Sequence, residues 1–368
     1  MQVVQINYLP APAQRSPAEL LAAWPSLADI AEMVAGAGVQ VRVIQCAAYV
    51  AQITRNDIDY HFADLRGADR PSQARRLAAW LDELGADVVH VHGLGFARHA
   101  HALSCCLPDQ PLLLQDHADR PPRGWRRPFW RRWYAAADGV AFTSTEQAQP
   151  FAQLLAKRTR LFAIPESSSR FTPGKFLRAR ADTGLQGDPC VLWIGHLNAN
   201  KDPMTMLEGI ARASERLPGL RLWCAFEDAP LLEAVRSRIA ADRRLRGRVT
   251  LLGRVPHARV ETLMRAADVF VSASRVEGCG YALLEALACG TTPVVTDIPA
   301  YRALTDDGRI GMLWPCGDAA ALAGALVRLW SAPLQPTQIR GHFDAHLSLS
   351  ALGRRWAEAY AQLAREER

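Results

Sequence analysis

The chain lacks the features that mark membrane-embedded, secreted and metal-organised proteins. Across 368 residues, no stretch of about eighteen apolar residues runs uninterrupted by charge. The mean hydropathy of −0.07 is that of a soluble protein. Transmembrane and collagen-like classes are excluded, and so is wholesale disorder. Eight cysteines, among them the neighbours Cys105 and Cys106, show neither C-x-x-C spacing nor the density of a disulfide scaffold, so a reducing cytoplasm is the expected setting. The opening MQVVQINYLP has no basic n-region and no apolar h-region, and no signal peptide is expected. The first strand-like run is followed by YLPAPAQRSPAELLAAW rather than G-x-G-x-x-G, which disfavours a nicotinamide or flavin site. Walker A and G-x-S-x-G are also missing. The ten histidines and eight cysteines show no zinc spacing, and no D-x-D cluster suggests a metal-bridged diphosphate, so neither metal nor cofactor is expected.

What is present starts with size. At 40.5 kDa and 49% hydrophobic, the chain can bury a sizeable core and is long enough for two domains. Forty-three Lys and Arg against 37 Asp and Glu leave +6 and a pI near 9.0. That mild excess suits phosphate, nucleic acid or anionic lipid without choosing among them.

Short aliphatic and β-branched runs recur between helical stretches: VVQIN at 3–7, VQVRVI at 39–44, DVVHVH at 87–92, PLLLQ at 111–115, GVAFT at 139–143 and RLFAI at 160–164. They are apolar on both faces, the pattern of parallel strands covered by helices on each side. After Pro165 the rhythm lapses into ESSSRFTPGK, then restarts with CVLWIG at 190–195, LRLWCAF at 220–226, RVTLLG at 248–253, DVFVSAS at 268–274, TPVVT at 292–296 and GMLWP at 311–315. The expected fold class is therefore α/β, two Rossmann-like doubly wound domains. The expected boundaries are 1–165, a linker at 166–187, a second domain at 188–345 and a C-terminal helix at 346–368. That helix carries one apolar stripe, Leu349, Leu352, Trp356, Tyr360 and Leu363, at helical spacing.

The segment EGCGYALLEALACGTTPVV at 277–295 carries the chemistry. Gly278 and Gly280 allow a sharp turn and close backbone approach, and a helix opening near Tyr281 points N–H groups and a positive dipole end at an anion such as phosphate. Glu285 lies about one turn into that helix, with its carboxylate leaning back toward the same spot. Glu277 sits on the loop in front. Two carboxylates repel a bare phosphate but bind hydroxyls well. Hydroxyls on either side of a diphosphate describe a sugar nucleotide. The alternative is a solvated loop residue and an exposed helix position.

E-G-x-G, a second Glu eight residues after the first, and A-x-x-C-G-x-x-P-V-V resemble the E-x7-E signature of family 4 of the retaining glycosyltransferases, which have the GT-B fold, two domains facing each other across a cleft. WIGHLNANKDPMTMLEGIA at 193–211, VTLLGRVPHARVETLMRAADVFVSAS at 249–274, ADVVHVHG at 86–93 and LLLQDHA at 112–118 resemble further stretches of that family. The resemblance implies an N-terminal acceptor domain, a C-terminal donor domain and a last helix that crosses back to the first. It implies that Glu285 holds the donor ribose, that Glu277 contacts the donor sugar, and that amides of Gly278, Cys279, Gly280 and Tyr281 meet sugar and phosphates. Lys201 matches the diphosphate-binding lysine, a cation suited to charge building on leaving phosphates. His117 matches a histidine lining the donor sugar, with Asp116 either its orienting partner or facing the core loop. His92 and Gly93 are weaker acceptor-side candidates.

The chain departs from the pattern twice. Where the family commonly has Arg, His196 follows the strand-ending Gly195, without the bidentate fork of guanidinium. Arg254 is a second basic candidate at the nucleotide end. The first loop carries Pro10, Pro12, Arg15, Ser16 and Pro17 where many members have a Gly-Gly pair, so acceptor recognition should differ.

Residues 120–134, RPPRGWRRPFWRRWY, hold Arg120, Arg123, Arg126, Arg127, Arg131 and Arg132 with no acid, interleaved with Trp125, Phe129, Trp130, Trp133 and Tyr134. Residues 1–170 carry 18 basic and 16 acidic side chains, so without these six that half would be negative. The composition fits an interfacial segment meeting anionic headgroups at the inner face of a membrane. It also fits aromatics packed inward beneath solvated arginines, or a site for an acidic acceptor. No nucleic-acid motif accompanies it.

The expected activity is metal-independent, retaining transfer of a sugar from a UDP-, GDP- or ADP-sugar to an acceptor hydroxyl on a glycan, a lipid-linked or a small molecule. The alternatives are a GT-B sugar-nucleotide epimerase or hydrolase, or a non-catalytic GT-B module binding an anionic polymer or membrane.

Overall fold

A computed structural model describes residues 1–365, apart from the side chains of residues 25 and 26. Positions 366–368 of the expected C-terminal helix lie outside the described residues. The chain forms two compact units. The first is Met1–Ser167 with the segment from Leu349 onward, and the second is Ser168–Ser348.

The first unit is built on eight strands: β1 (Gln2–Asn7), β2 (Gln40–Ala47), β3 (Ala51–Arg55), β4 (Ile58–Asp64), β5 (Val88–His92), β6 (Leu112–Gln115), β7 (Gly139–Phe142) and β8 (Arg160–Ala163). Their order is β3-β4-β2-β1-β5-β6-β7-β8, parallel except for the β3–β4 pair. Successive residues of a strand feed opposite cores. Val3 and Val88 enter one, while Val4 and Val89 enter the other, so both faces exclude water, as parallel sheets with crossover helices require. β3 and β4 are absent from the sequence-based reading. Asn56 and Asp57 join them with φ of 51° and 60°, the two positive values of a type I′ turn. The Asp57-Ile58-Asp59 spelling of D-x-D falls in this hairpin.

The helix Leu349–Ala364 belongs to the first unit. Its Leu352, Trp356, Ala359, Tyr360 and Leu363 enter the same core as Val3 and Val88. At Gly353 a Cβ would collide with the Met33 carbonyl of the helix Pro25–Gly36. The two backbones approach closely because that position has no side chain.

The second unit carries β9 (Cys190–Gly195), β10 (Arg221–Phe226), β11 (Val249–Gly253), β12 (Val269–Ser272), β13 (Thr292–Thr296) and β14 (Met312–Trp314). All are parallel, in the order β11-β10-β9-β12-β13-β14. That is the doubly wound order whose direction reverses between the first and fourth strands, here β9 and β12. Val191 and Trp193 face one core, and Leu192 and Phe270 the other.

The stretch expected as a linker contains a helix, Phe176–Thr183, inside the second unit. Its Arg180 donates to Asp268 Oδ2 (2.7 Å), to the Ala266 carbonyl (2.7 Å) and to the Gly187 carbonyl (3.1 Å). Two of these partners, Ala266 and Asp268, are distant in sequence, so a Ser, Pro and Gly composition cannot reveal them.

Candidate active site

In open α/β sheets, ligands bind beyond the carboxyl ends of the strands where the order reverses. In the second unit that place is the pair of loops after β9 and β12, and they are tied together. Asn200 donates through Nδ2 to the Val276 carbonyl (2.9 Å), its Oδ1 accepts from Val276 N–H (3.2 Å), and its carbonyl accepts from Arg275 N–H (2.8 Å). Arg275 also pairs with Asp202 at 2.6 Å. Asp202 caps the helix Pro203–Ala213 from the left-handed region, at φ 41°. Neither Asn200, Asp202 nor Arg275 stood out in the sequence, because each acts through a partner on the other loop.

Across this latch the Lys201 ammonium and the Glu277 carboxylate form an ion pair. The backbone N–H of Lys201 donates to Asn198 Oδ1 at 3.1 Å. Glu277 Oε1 also accepts from the Tyr301 hydroxyl at 3.4 Å, and that hydroxyl lies 2.9 Å from Ser272 Oγ. Tyr301 is buried. Burial and the charge of Glu277 push its phenol pKa upward, so it stays a donor. Tyr301 gave no sequence signal.

Gly278 is half-buried, Cys279 and Gly280 are buried, and Tyr281 is exposed. Gly280 stands at φ 83° at the start of the helix Tyr281–Cys289 and offers no side chain to its first turn. A Cβ there would also lie 2.7 Å from the Tyr301 ring. Only glycine meets both conditions, and the helix N-terminus behind it favours an anion.

Glu285, one turn along, binds His257 Nε2 through Oε1 at 2.7 Å. The Glu285 side chain is 15% exposed and that of His257 75%. The hydrogen bond to Glu285, aided by its charge, raises the His257 pKa, and Phe171 flanks the imidazole at 5.1 Å. Gly195 ends β9, and the exposed His196 after it accepts the Asp228 N–H on Nδ1 (3.3 Å). With Nδ1 an acceptor, Nε2 is the ring nitrogen left to donate. Arg254 follows β11 at the surface, 78% exposed, and pairs with Glu227 at 3.1 Å.

The first unit gathers histidines at the equivalent edge of its own sheet. His117, just after β6, pairs through Nδ1 with the buried Glu166. Its Nε2 lies 3.1 Å from Nδ1 of His92, which ends β5, and His92 Nε2 lies 3.4 Å from Gln5 Oε1 on β1. Burial alone would lower the His117 pKa, but the hydrogen bond and charge of Glu166 outweigh it and the net shift is upward. Burial, reinforced by His90 and His117, holds His92 well below its usual value. The opposed shifts favour one proton order, in which His117 donates to Glu166 and His92, and His92 donates to Gln5.

Asp116 is not the partner of His117. Its carboxylate accepts from Asp119 N–H at 2.9 Å, and burial raises its pKa to about 6. Glu166 takes that place, hidden from sequence reading at the first position of the expected linker. Asp119 in turn accepts from Leu94 N–H (2.7 Å) and Gly95 N–H (3.0 Å), fixing the turn that follows Gly93.

Two doubly wound units, the second with a glycine-led helix beyond β12, are the architecture of GT-B glycosyltransferases. The solved structures agree in fold. A glycosyltransferase from Rickettsia africae superposes with a TM-score of 0.75 at 13% identity, over 99% of each chain. HepE of Anabaena, in complex with UDP, gives 0.73 at 16% identity, over 98% of this chain and 100% of that one. Residues 25–166 match the model described as Glycosyltransferase Family 4, and residues 188–332 match Glycosyl transferases group 1. The chain belongs to the family 4 glycosyltransferases. Its relatives include a GDP-mannose:cellobiosyl-diphosphopolyprenol alpha-mannosyltransferase from Xanthomonas campestris, 30% identical over 61% of this chain and 60% of that protein. A phosphatidyl-myo-inositol mannosyltransferase from Mycobacterium leprae is 28% identical over 82% of this chain and 81% of that protein.

Proposed function

We propose that the chain transfers a hexose, with retention and without a divalent metal, from a nucleoside diphosphate sugar to an acceptor hydroxyl. The observation carrying this reading is the Lys201–Glu277 pair beside the Gly280 helix start. An ammonium and the positive end of a glycine-led helix suit a diphosphate, while the carboxylates of Glu277 and Glu285 suit the hydroxyls at its two ends.

In this reading Glu285 exchanges His257 for the ribose hydroxyls, and Glu277 receives a sugar hydroxyl while remaining close to Lys201. Lys201, the amides from Gly278 to Tyr281, and His196 Nε2–H stabilise charge as the glycosidic bond to the diphosphate lengthens. The acceptor hydroxyl enters on the face the diphosphate leaves, and a phosphate oxygen takes its proton, so no side chain acts as nucleophile. His117 is assigned to the donor sugar, held in orientation by Glu166 and His92. Arg254 is assigned to the nucleotide end.

The names of the two relatives carry GDP-mannose and lipid-borne acceptors. GDP-mannose is therefore the first donor to test, and a lipid-linked glycan or phosphatidylinositol the first acceptor. The test is a thermal-shift panel of UDP-, GDP- and ADP-sugars followed by product analysis. One donor should raise Tm and be consumed only when acceptor is present. Consumption without acceptor favours an epimerase or hydrolase, and a panel with no shift at all removes the enzyme reading.

A further inference from the structure

The six arginines of 120–134 are all exposed. Elsewhere guanidinium groups are widely paired, for example Arg158 with Asp138, Arg180 with Asp268 and Arg275 with Asp202. Among the described residues none of these six forms an ion pair; Arg127 makes one hydrogen bond, to Gln153 Oε1 at 3.2 Å.

The aromatics divide into two sets. On the helix Arg127–Tyr134, Tyr134 is buried, and Trp130 and Trp133 pack against the core containing Val4 and Val89. These three lie at i, i+3 and i+4, one helical face. Arg131 and Arg132 are left on the outer side, and Arg127, at the start of the helix, is also exposed. Trp125 and Phe129, four residues apart, are 76% and 55% exposed and meet edge to face at 6.4 Å. The helix Ala97–Ser104 adds the exposed Arg98, whose guanidinium lies 5.4 Å from the Trp133 ring.

We infer that this patch docks the first unit on an anionic lipid bilayer, with Trp125 and Phe129 entering the headgroup region inside a ring of phosphate-binding arginines. The inference is independent of the donor chemistry proposed above. Charge complementarity selects an anionic partner, since unpaired arginines with no interspersed acid are each worth roughly fivefold in partitioning to such a surface. The aromatic pair selects a bilayer over a polyanion. Arg126 lies over the Trp125 ring at 5.4 Å, and Phe129 meets Trp125 edge to face. Trp125 thus offers a base little open face to stack on, whereas its apolar bulk suits the headgroup boundary.

The full chain is tested by co-sedimentation with phosphatidylcholine vesicles, pure or containing about 30% phosphatidylglycerol, and by competition with single-stranded RNA and heparin. W125A/F129A and R127E/R131E are compared with wild type, with melting curves checking the fold. The expected result is binding to anionic vesicles alone, at least tenfold weaker in each double variant, and weakened by salt in wild type. Absence of vesicle binding overturns the inference. So does vesicle binding that W125A/F129A leaves unchanged, or that RNA or heparin matches with the same indifference to that variant, because the patch then reads charge only.

Discussion

Lys201 and Glu277, 76 residues apart in sequence, form one ion pair where the loops after β9 and β12 meet. The pair keeps an ammonium and a carboxylate compensated and pre-positioned. In the function proposed above, a substrate bringing its own phosphates and hydroxyls would redistribute these contacts, which lowers the reorganisation needed.

Lys201→Ala should reduce sugar transfer by about 10²–10³-fold, the usual cost of losing one group that stabilises transition-state charge, with an unaltered circular dichroism spectrum. Glu277→Ala should be comparably inactive. Near-wild-type single-turnover rates in either variant would falsify the assignment.

Gly280→Ala meets two penalties, a left-handed backbone at φ 83° and a Cβ 2.7 Å from the Tyr301 ring. The backbone term alone is about 1–2 kcal/mol. Urea unfolding should show a loss of at least that size, and the nucleotide-induced rise in Tm should shrink because the helix start moves.

Glu166→Gln removes the carboxylate that raises the His117 pKa. Burial is then opposed only by the charges of Asp119 and Asp116, and the His117 titration should move downward. Proton NMR of the His117 ring tests this, and an unchanged titration would show that Asp116 and Asp119 suffice.

His90 is wholly buried, with Tyr360 Oη 2.8 Å from Nδ1 and Trp356 stacked at 5.1 Å. Burial lowers its pKa to about 3. Between pH 6.5 and about 3 the unfolded chain binds this proton and the folded chain does not. Stability therefore falls on acidification, by about 1.4 kcal/mol per pH unit from this group. The slope of unfolding free energy between about pH 6 and 4 should be shallower by roughly that amount in His90→Gln.

Trp356→Ala should lower the unfolding free energy by about 3–5 kcal/mol, the range for emptying a large buried aromatic site. Trp356 is fully buried in the core where the C-terminal helix meets β1 and β5. A loss under 1 kcal/mol in chemical denaturation would place that helix off the core.

The strand series was readable because parallel strands covered on both faces leave runs dominated by aliphatic residues, as in VVHVH and LLLQ. The stripe of Leu352, Trp356, Tyr360 and Leu363 was readable because helical spacing survives without context. The β3–β4 hairpin escaped because the exposed residues of β3, Gln52, Thr54 and Arg55, are all polar and leave no aliphatic run there. Its Asn-Asp turn was the available signal. Glu166 and His257 escaped for a different reason: neither belongs to a motif, and each matters only through the side chain it meets.

The sequence by itself determined the α/β class, the recurrence of strand and helix in two series, and the glycine-led turn ahead of Glu285, since these depend on local spacing. Only the tertiary structure decided that Glu166 rather than Asp116 holds His117, and that Asn200 latches the two loops. It also decided that Trp125 and Phe129 face solvent while Trp130 and Trp133 face the core. Those outcomes depend on strand order, register and the rotation of one helix against its sheet, which are set by contacts between segments that carry no record of one another in their local sequence.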